Sequence, residues 1–261
     1  MKKKHKLISN HHLIYSHPFP FLLIIFILFT SQQVSLAANN KSAIYKAYLT
    51  GDKELWKNTI DKMSSQGTKT PAYIAELLNY QYGYIGCCIG LKDYSEAKKY
   101  LELAEKNLDR LAETPGNESL INSYKAAFSG YRIGMNNLLA PVLGFKSIDY
   151  AKEAVRMNKN DAFAWIQNGN VEFYWPKVFG GSKKEALDYF LKALEIMEKD
   201  PAGIIEDWNY INLLLLIAQT YRYIDGKDNS AIYVNMILKI APDFTWVKNK
   251  MYPQIEVKAR E

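Results

Sequence analysis

The chain has 261 residues and a formal charge of +6, with 33 lysines and arginines against 27 acids, 4 histidines and 2 cysteines. That length fits one ordinary domain or one repeat array. Two adjacent cysteines exclude a disulfide framework, because neighbouring residues rarely reach unstrained bridge geometry. The excess charge is concentrated at the N-terminus, so it does not mark nucleic-acid binding, which needs a basic patch on the domain itself.

In chain order, the first element is a leader. Lys2, Lys3, Lys4 and Lys6 precede the uncharged run FLLIIFILF at Phe21–Phe29, and Ser35-Leu36-Ala37 supplies the small residues a signal peptidase reads. The apolar run falls short of the roughly 20 residues needed to span a bilayer. Residues 1–37 are therefore expected to be a cleaved secretory signal and 38–261 the exported domain, with no membrane insertion after cleavage. No cysteine follows the apolar core, so a lipid anchor is not expected. Cleavage removes four lysines and no acids, leaving a charge of +2. It also removes His5, His11, His12 and His17, which are all of the histidines. The domain then has no Ser-His-Asp or Cys-His arrangement and no imidazole metal site, and neither a metal nor a cofactor is expected.

From residue 41 the pattern is helical, broken into hairpins at about 41–63, 71–112, 118–158, 161–199 and 204–240, with a closing helix from about 243. Cys87 and Cys88, in YIGCCIG, fit a helix packed closely on a neighbour, where cysteine serves as a small apolar residue. In DYSEAKKYLELAEKNLDRL, Tyr94, Ala97, Leu101, Ala104 and Leu108 form one stripe at three- and four-residue steps. SKKEALDYFLKALEIM repeats the pattern with Ala186, Leu187, Phe190, Ala193, Leu194 and Met197. Pro71, Pro201 and Pro242 fall at or near expected helix starts, where the missing amide has no helical partner. Alternating runs of the strand type are absent.

One internal period stands out. Gly134, Pro141 and Ala151 recur 35 residues later as Gly169, Pro176 and Ala186. In FYWPKVFGGSKKEA, Pro176 ends the preceding helix near Tyr174 or Trp175. Gly180 and Gly181 permit left-handed backbone. Ser182 is placed to cap the next helix, with Glu185 completing a capping box. The stretch is expected to be a lengthened interhelix turn rather than a phosphate loop, since GGSK lacks the first glycine of that motif and no strand precedes it.

These features resemble the tetratricopeptide repeat (TPR) family. Trp165 and Gly169 fall at the family's spacing after NKND, Ala186, Phe190 and Ala193 match its second helix, and KIAPDFTW looks like a repeat end. The resemblance covers about 70–250. It implies an all-α, TPR-like α-solenoid of about five helical hairpins plus a C-terminal closing helix, with a concave surface lined by first helices. Polar positions there that the core pattern leaves unclaimed are Arg132, Asn136, Gln167, Asn170 and Glu172. Asn170 falls where some TPR clamps hold a peptide carboxylate. The expected function is non-catalytic: a periplasmic or envelope scaffold holding an envelope protein or peptide in the groove. An alternative rests on P-x-x-F-G-G-x-x-x-x-A, which looks like the periplasmic TPR-type partner of TRAP transporters and implies a role in solute uptake. A third is an envelope hydrolase using carboxylates, which needs acids converging in a cleft; Glu102 with Glu105 and Glu195 with Glu198 read instead as solvated helix faces.

Overall fold

A computed structural model describes residues 39–224 and 227–251. The leader, its histidines and its cleavage site lie outside the described residues, as does the end of the expected closing helix. The described residues are all-α with no strand: α1 (39–50), α2 (Lys53–Ser64), α3 (Pro71–Gly90), α4 (Tyr94–Ala112), α5 (Glu118–Met135), α6 (Ala140–Met157), α7 (Ala162–Tyr174), α8 (Lys183–Met197), α9 (Trp208–Ile224) and α10 (Lys227–Ile240). From α2 onward each helix packs on the next, and α5 also lies against α3 and α7.

Short polar residues start the helices, as the sequence requires. The side chains of Asp52, Thr70, Asp93, Asp161 and Ser182 each accept a first-turn amide, and Pro71 occupies the first turn of α3. On α4 the buried stripe is Ala97, Tyr100, Leu101, Ala104, Leu108 and Leu111; Tyr94, expected on it, is exposed in the first turn. Cys88 is fully buried beside half-buried Cys87, and burial pushes the Cys88 thiol up to about 11.

The fold revises several expectations. Pro141 lies in the first turn of α6, whereas Pro176 lies between α7 and α8, so the two do not do the same work. The buried faces instead pair Ser147, Ala151 and Ala154 with Ala186, Phe190 and Ala193. Gly169 and Gly134 differ likewise. A Cβ on Gly169 would lie 2.3 Å from the Phe190 ring, while one on Gly134 would only touch Ile89 at 3.7 Å. Gly180 is left-handed (φ 101), but Gly181 is needed for another reason: a Cβ there would lie 2.0 Å from the Trp175 carbonyl oxygen. The capping box is half formed. Ser182 Oγ accepts from the Glu185 amide at 3.2 Å, but the Ser182 amide donates to Glu172 Oε2 at 3.2 Å, because Glu172 sits closer across the turn. Pro201 opens a run of turns ahead of α9 rather than a helix, and Pro242 sits in the turn after α10. Of the closing helix, only a turn ending in the π-helical Val247–Met251 is described.

The main departure concerns the inner face. Tyr48 of α1 reaches α9: its hydroxyl donates to Asn212 Oδ1 at 3.0 Å, and its ring lies 5.7 Å from Trp208 and 5.2 Å from Phe244. Lys41 Nζ donates to the Gly203 carbonyl at 2.9 Å. Between these, Trp56, Tyr82, Tyr124, Phe163 and Trp208 pack edge to face or tilted, at centroid separations of 4.9–6.2 Å. Each such pair adds about 0.5–1.5 kcal/mol beyond its burial. The face expected to be an open groove is filled by the protein's own rings.

Two acids border this centre. Burial raises the carboxyls of Glu76 and Asp207 above the usual range, offset in part by Tyr80 at Glu76, by the Asn209 amide at Asp207 and by Lys41 at both. A raised folded pKa means the native state holds the proton more tightly. This contribution is full below the unfolded pKa and is lost as pH rises through the folded value. Glu76→Gln, which still accepts the Tyr80 hydroxyl, should leave the melting temperature unchanged at pH 4 and raise it by about 2 °C at pH 7. Equal shifts at both pH values would refute this.

Candidate ligand-binding site

The chain leaves α7 at Tyr174 because Trp175 turns extended and Pro176 cannot continue the helix. Trp175 then organises the connection. Its Nε1 donates to the Phe179 carbonyl at 2.9 Å, its ring covers Gly144, where a Cβ would lie 2.2 Å away, and it meets Phe145 edge-on at 5.6 Å. The Gly181 amide closes the turn on the Pro176 carbonyl at 3.2 Å. With the backbone tied inward, Phe179 is turned out to 70% exposure.

Two more rings stand exposed nearby, Tyr174 at 71% and Tyr223 near the end of α9 at 69%. Both pack edge-on against the buried Phe173, at 5.0 and 5.5 Å. Lys183, at the start of α8, lays its Nζ 4.0 Å from the Phe173 centroid and 5.7 Å from that of Tyr223. Although its ring faces solvent, the Tyr174 hydroxyl is held above its ordinary pKa, first by desolvation and then by Tyr82 and Tyr223. Tyr174, Tyr223 and Lys183 thus meet over Phe173 as an exposed aromatic patch.

Tyr82 and Tyr131, electrostatic neighbours of Tyr174, are held rigidly. Tyr131 stacks on Tyr82 at 5.4 Å and donates its hydroxyl to the Tyr82 carbonyl at 3.0 Å. Burial raises both phenols, that of Tyr131 well above its ordinary value. Gln167 Nε2 donates to the Tyr82 hydroxyl at 3.4 Å, and Asn170 Nδ2 donates to Gln167 Oε1 at 3.3 Å.

Of the five polar candidates from sequence, the fold brings only Gln167 and Asn170 together. Gln167 is 2% exposed and supports Tyr82 from inside; Asn170 is half-buried beside it. Arg132 is paired with Glu105 of α4 at 2.6 Å. Asn136 ends α5 and accepts the Leu138 amide at 3.2 Å. Glu172 braces the Ser182 amide, and burial raises its carboxyl. Trp165 donates Nε1 to the Lys159 carbonyl at 2.9 Å and packs on Tyr189.

Sequence reasoning missed Tyr174, Phe179, Tyr223 and Lys183. The available signal was Lys183 itself: helix spacing puts Gly180 and Phe179 behind it and Ala186 and Leu187 ahead, so no acid of α8 can pair with it. Among the described residues no helix is long and apolar enough to cross a membrane, and no cluster of histidine, cysteine and acidic residues could hold a metal.

No protein-family model matches the chain, and no curated protein does. Among solved structures, the HusA haemophore from Porphyromonas gingivalis is similar, with a TM-score of 0.56 and 16% identity over 72% of this chain and 94% of that one. The likeness is one of fold. It makes the chain an all-helical protein structurally similar to a haemophore.

Proposed function

We propose that the chain is a non-catalytic binding protein, exported to the cell envelope or beyond, and that it carries a flat, largely apolar ligand of the tetrapyrrole class. On this reading it is a TPR-like stack of hairpins whose inner face is used for its own core. The binding surface is then the aromatic patch at the ends of α7 and α9. The observation that carries the proposal is the exposure of Tyr174 and Tyr223 on either side of the buried Phe173, with the half-buried Lys183 ammonium over Phe173 and Tyr223. Large exposed rings supply the apolar area and rigid stacking faces that a planar molecule needs. The fold it shares with a haemophore supports the same ligand class.

Titration of haemin into the purified protein, followed by the Soret band and by tryptophan quenching, tests this directly. Saturable binding is expected, weakened about tenfold or more in a Tyr174→Ala, Tyr223→Ala double variant that keeps its helical circular dichroism. Wild-type protein that leaves the haemin spectrum unchanged would sink the proposal.

A second reading keeps an envelope protein or peptide as the partner. It is favoured by Leu138, Val142 and Phe145, which are exposed on and beside the α5–α6 connection.

A further inference from the structure

We propose that Lys183 is the anchor for a carboxylate on the ligand, so that the site selects a flat apolar molecule carrying an acid group over its uncharged counterpart. The proposal rests on the aromatic patch being the ligand site. Lysines at the start of a helix ordinarily reach into water or pair with an acid one turn away. Lys183 does neither. Its Nζ is held 4.0 Å from the Phe173 centroid and 5.7 Å from that of Tyr223, the residue is half-buried, and among the described residues it makes no ion pair.

The charges around it point the same way. Glu185 and Asp188 project from other faces of α8 at non-neighbouring spacing. The carboxylate of Glu172 is engaged by the Ser182 amide. Lysine 183's titration is displaced by burial alone, which holds it below its ordinary value, and no acid contributes. The site therefore keeps a half-buried cation beside the exposed Tyr223 ring, with no ion-pair partner among the described residues. An ammonium on an aromatic platform retains free N–H groups on the side away from the ring. A ligand whose body lies on Tyr174 and Tyr223 would bring its acid group to those donors, forming the charge-assisted contact the fold omits.

The experiment compares protoporphyrin IX with its dimethyl ester, in matched detergent, on the full protein. Wild type should bind the free acid about 10- to 100-fold more tightly than the ester. Lys183→Met should remove that preference, and Lys183→Arg should keep most of it. The melting temperature of Lys183→Met should equal or exceed that of wild type, because the replaced cation is held against its solvation. Equal binding of acid and ester by wild type would overturn the anchor while leaving the aromatic site in place. Binding of neither would overturn both. The acid–ester comparison on wild type decides the matter even where a variant fails to fold.

Discussion

Replacing Phe190 with alanine should lower the unfolding free energy by about 3–5 kcal/mol, a range typical of buried phenylalanines cut back to alanine. Phe190 is fully buried in the core shared by α7, α8, α9 and α10, and its ring fills the space beside Gly169. In a chain of this size such a loss lowers the melting temperature by about 10 °C or more. The same contact sets a reciprocal expectation. Gly169→Ala alone forces a methyl group into the ring and should cost about 1–3 kcal/mol. In the Phe190→Ala background the methyl has room, so its cost should fall toward zero. Additive losses in chemical denaturation would show that the two residues are not in contact.

Gly83→Ala should be nearly as severe, with a loss of about 3 kcal/mol at the upper end for overpacking. A Cβ at Gly83 would lie 2.4 Å from Trp56 and 2.8 Å from Trp208. Neither indole can step aside. Trp56 Nε1 donates to the Tyr80 carbonyl at 2.9 Å, Trp208 Nε1 donates to Asn79 Oδ1 at 2.8 Å, and the rings meet edge to face at 5.2 Å. Gly130, inside α5, is the control: nothing lies within 4 Å of a Cβ there. Gly130→Ala should stabilise the protein by about 0.5–1 kcal/mol through helix propensity. Opposite signs for one substitution on two helices, measured by urea melts, would verify the packing. A neutral Gly83→Ala would contradict it.

The helices were legible because their causes are local. Asp161, Ser182 and Pro71 announce helix starts by side-chain chemistry, and the steps of Ala186, Phe190 and Ala193 announce a buried face. The register between pairs was not legible. Pro141 and Pro176 share a residue type but not a position, since a proline is equally at home in a first helical turn and in a connection. Gln167 and Asn170 were singled out as groove positions because their helix face is polar in sequence. What faces them, Tyr82 from α3, is 85 residues away from Gln167 along the chain. The aromatic patch was hidden for the same reason. Tyr174 and Tyr223 are two among 19 tyrosines, and only the meeting of α7 with α9 distinguishes them from those that fill the centre.

The contact between α1 and α9 sets a limit on how this protein can change and on how it is made. In an open array of helical hairpins each repeat leans only on its neighbours, so repeats can be added or dropped at little cost. Here an inserted hairpin would carry Tyr48 out of reach of Asn212, Trp208 and Phe244. The number of hairpins is thereby fixed by geometry, and lineages that duplicate one must also surrender the seam. During synthesis the same seam leaves Tyr45 and Leu49 without their apolar partners, and Tyr48 with only its N-terminal neighbour Trp56, until the C-terminal helices arrive, so α1, the first of the described helices to be made, is among the last to be finished.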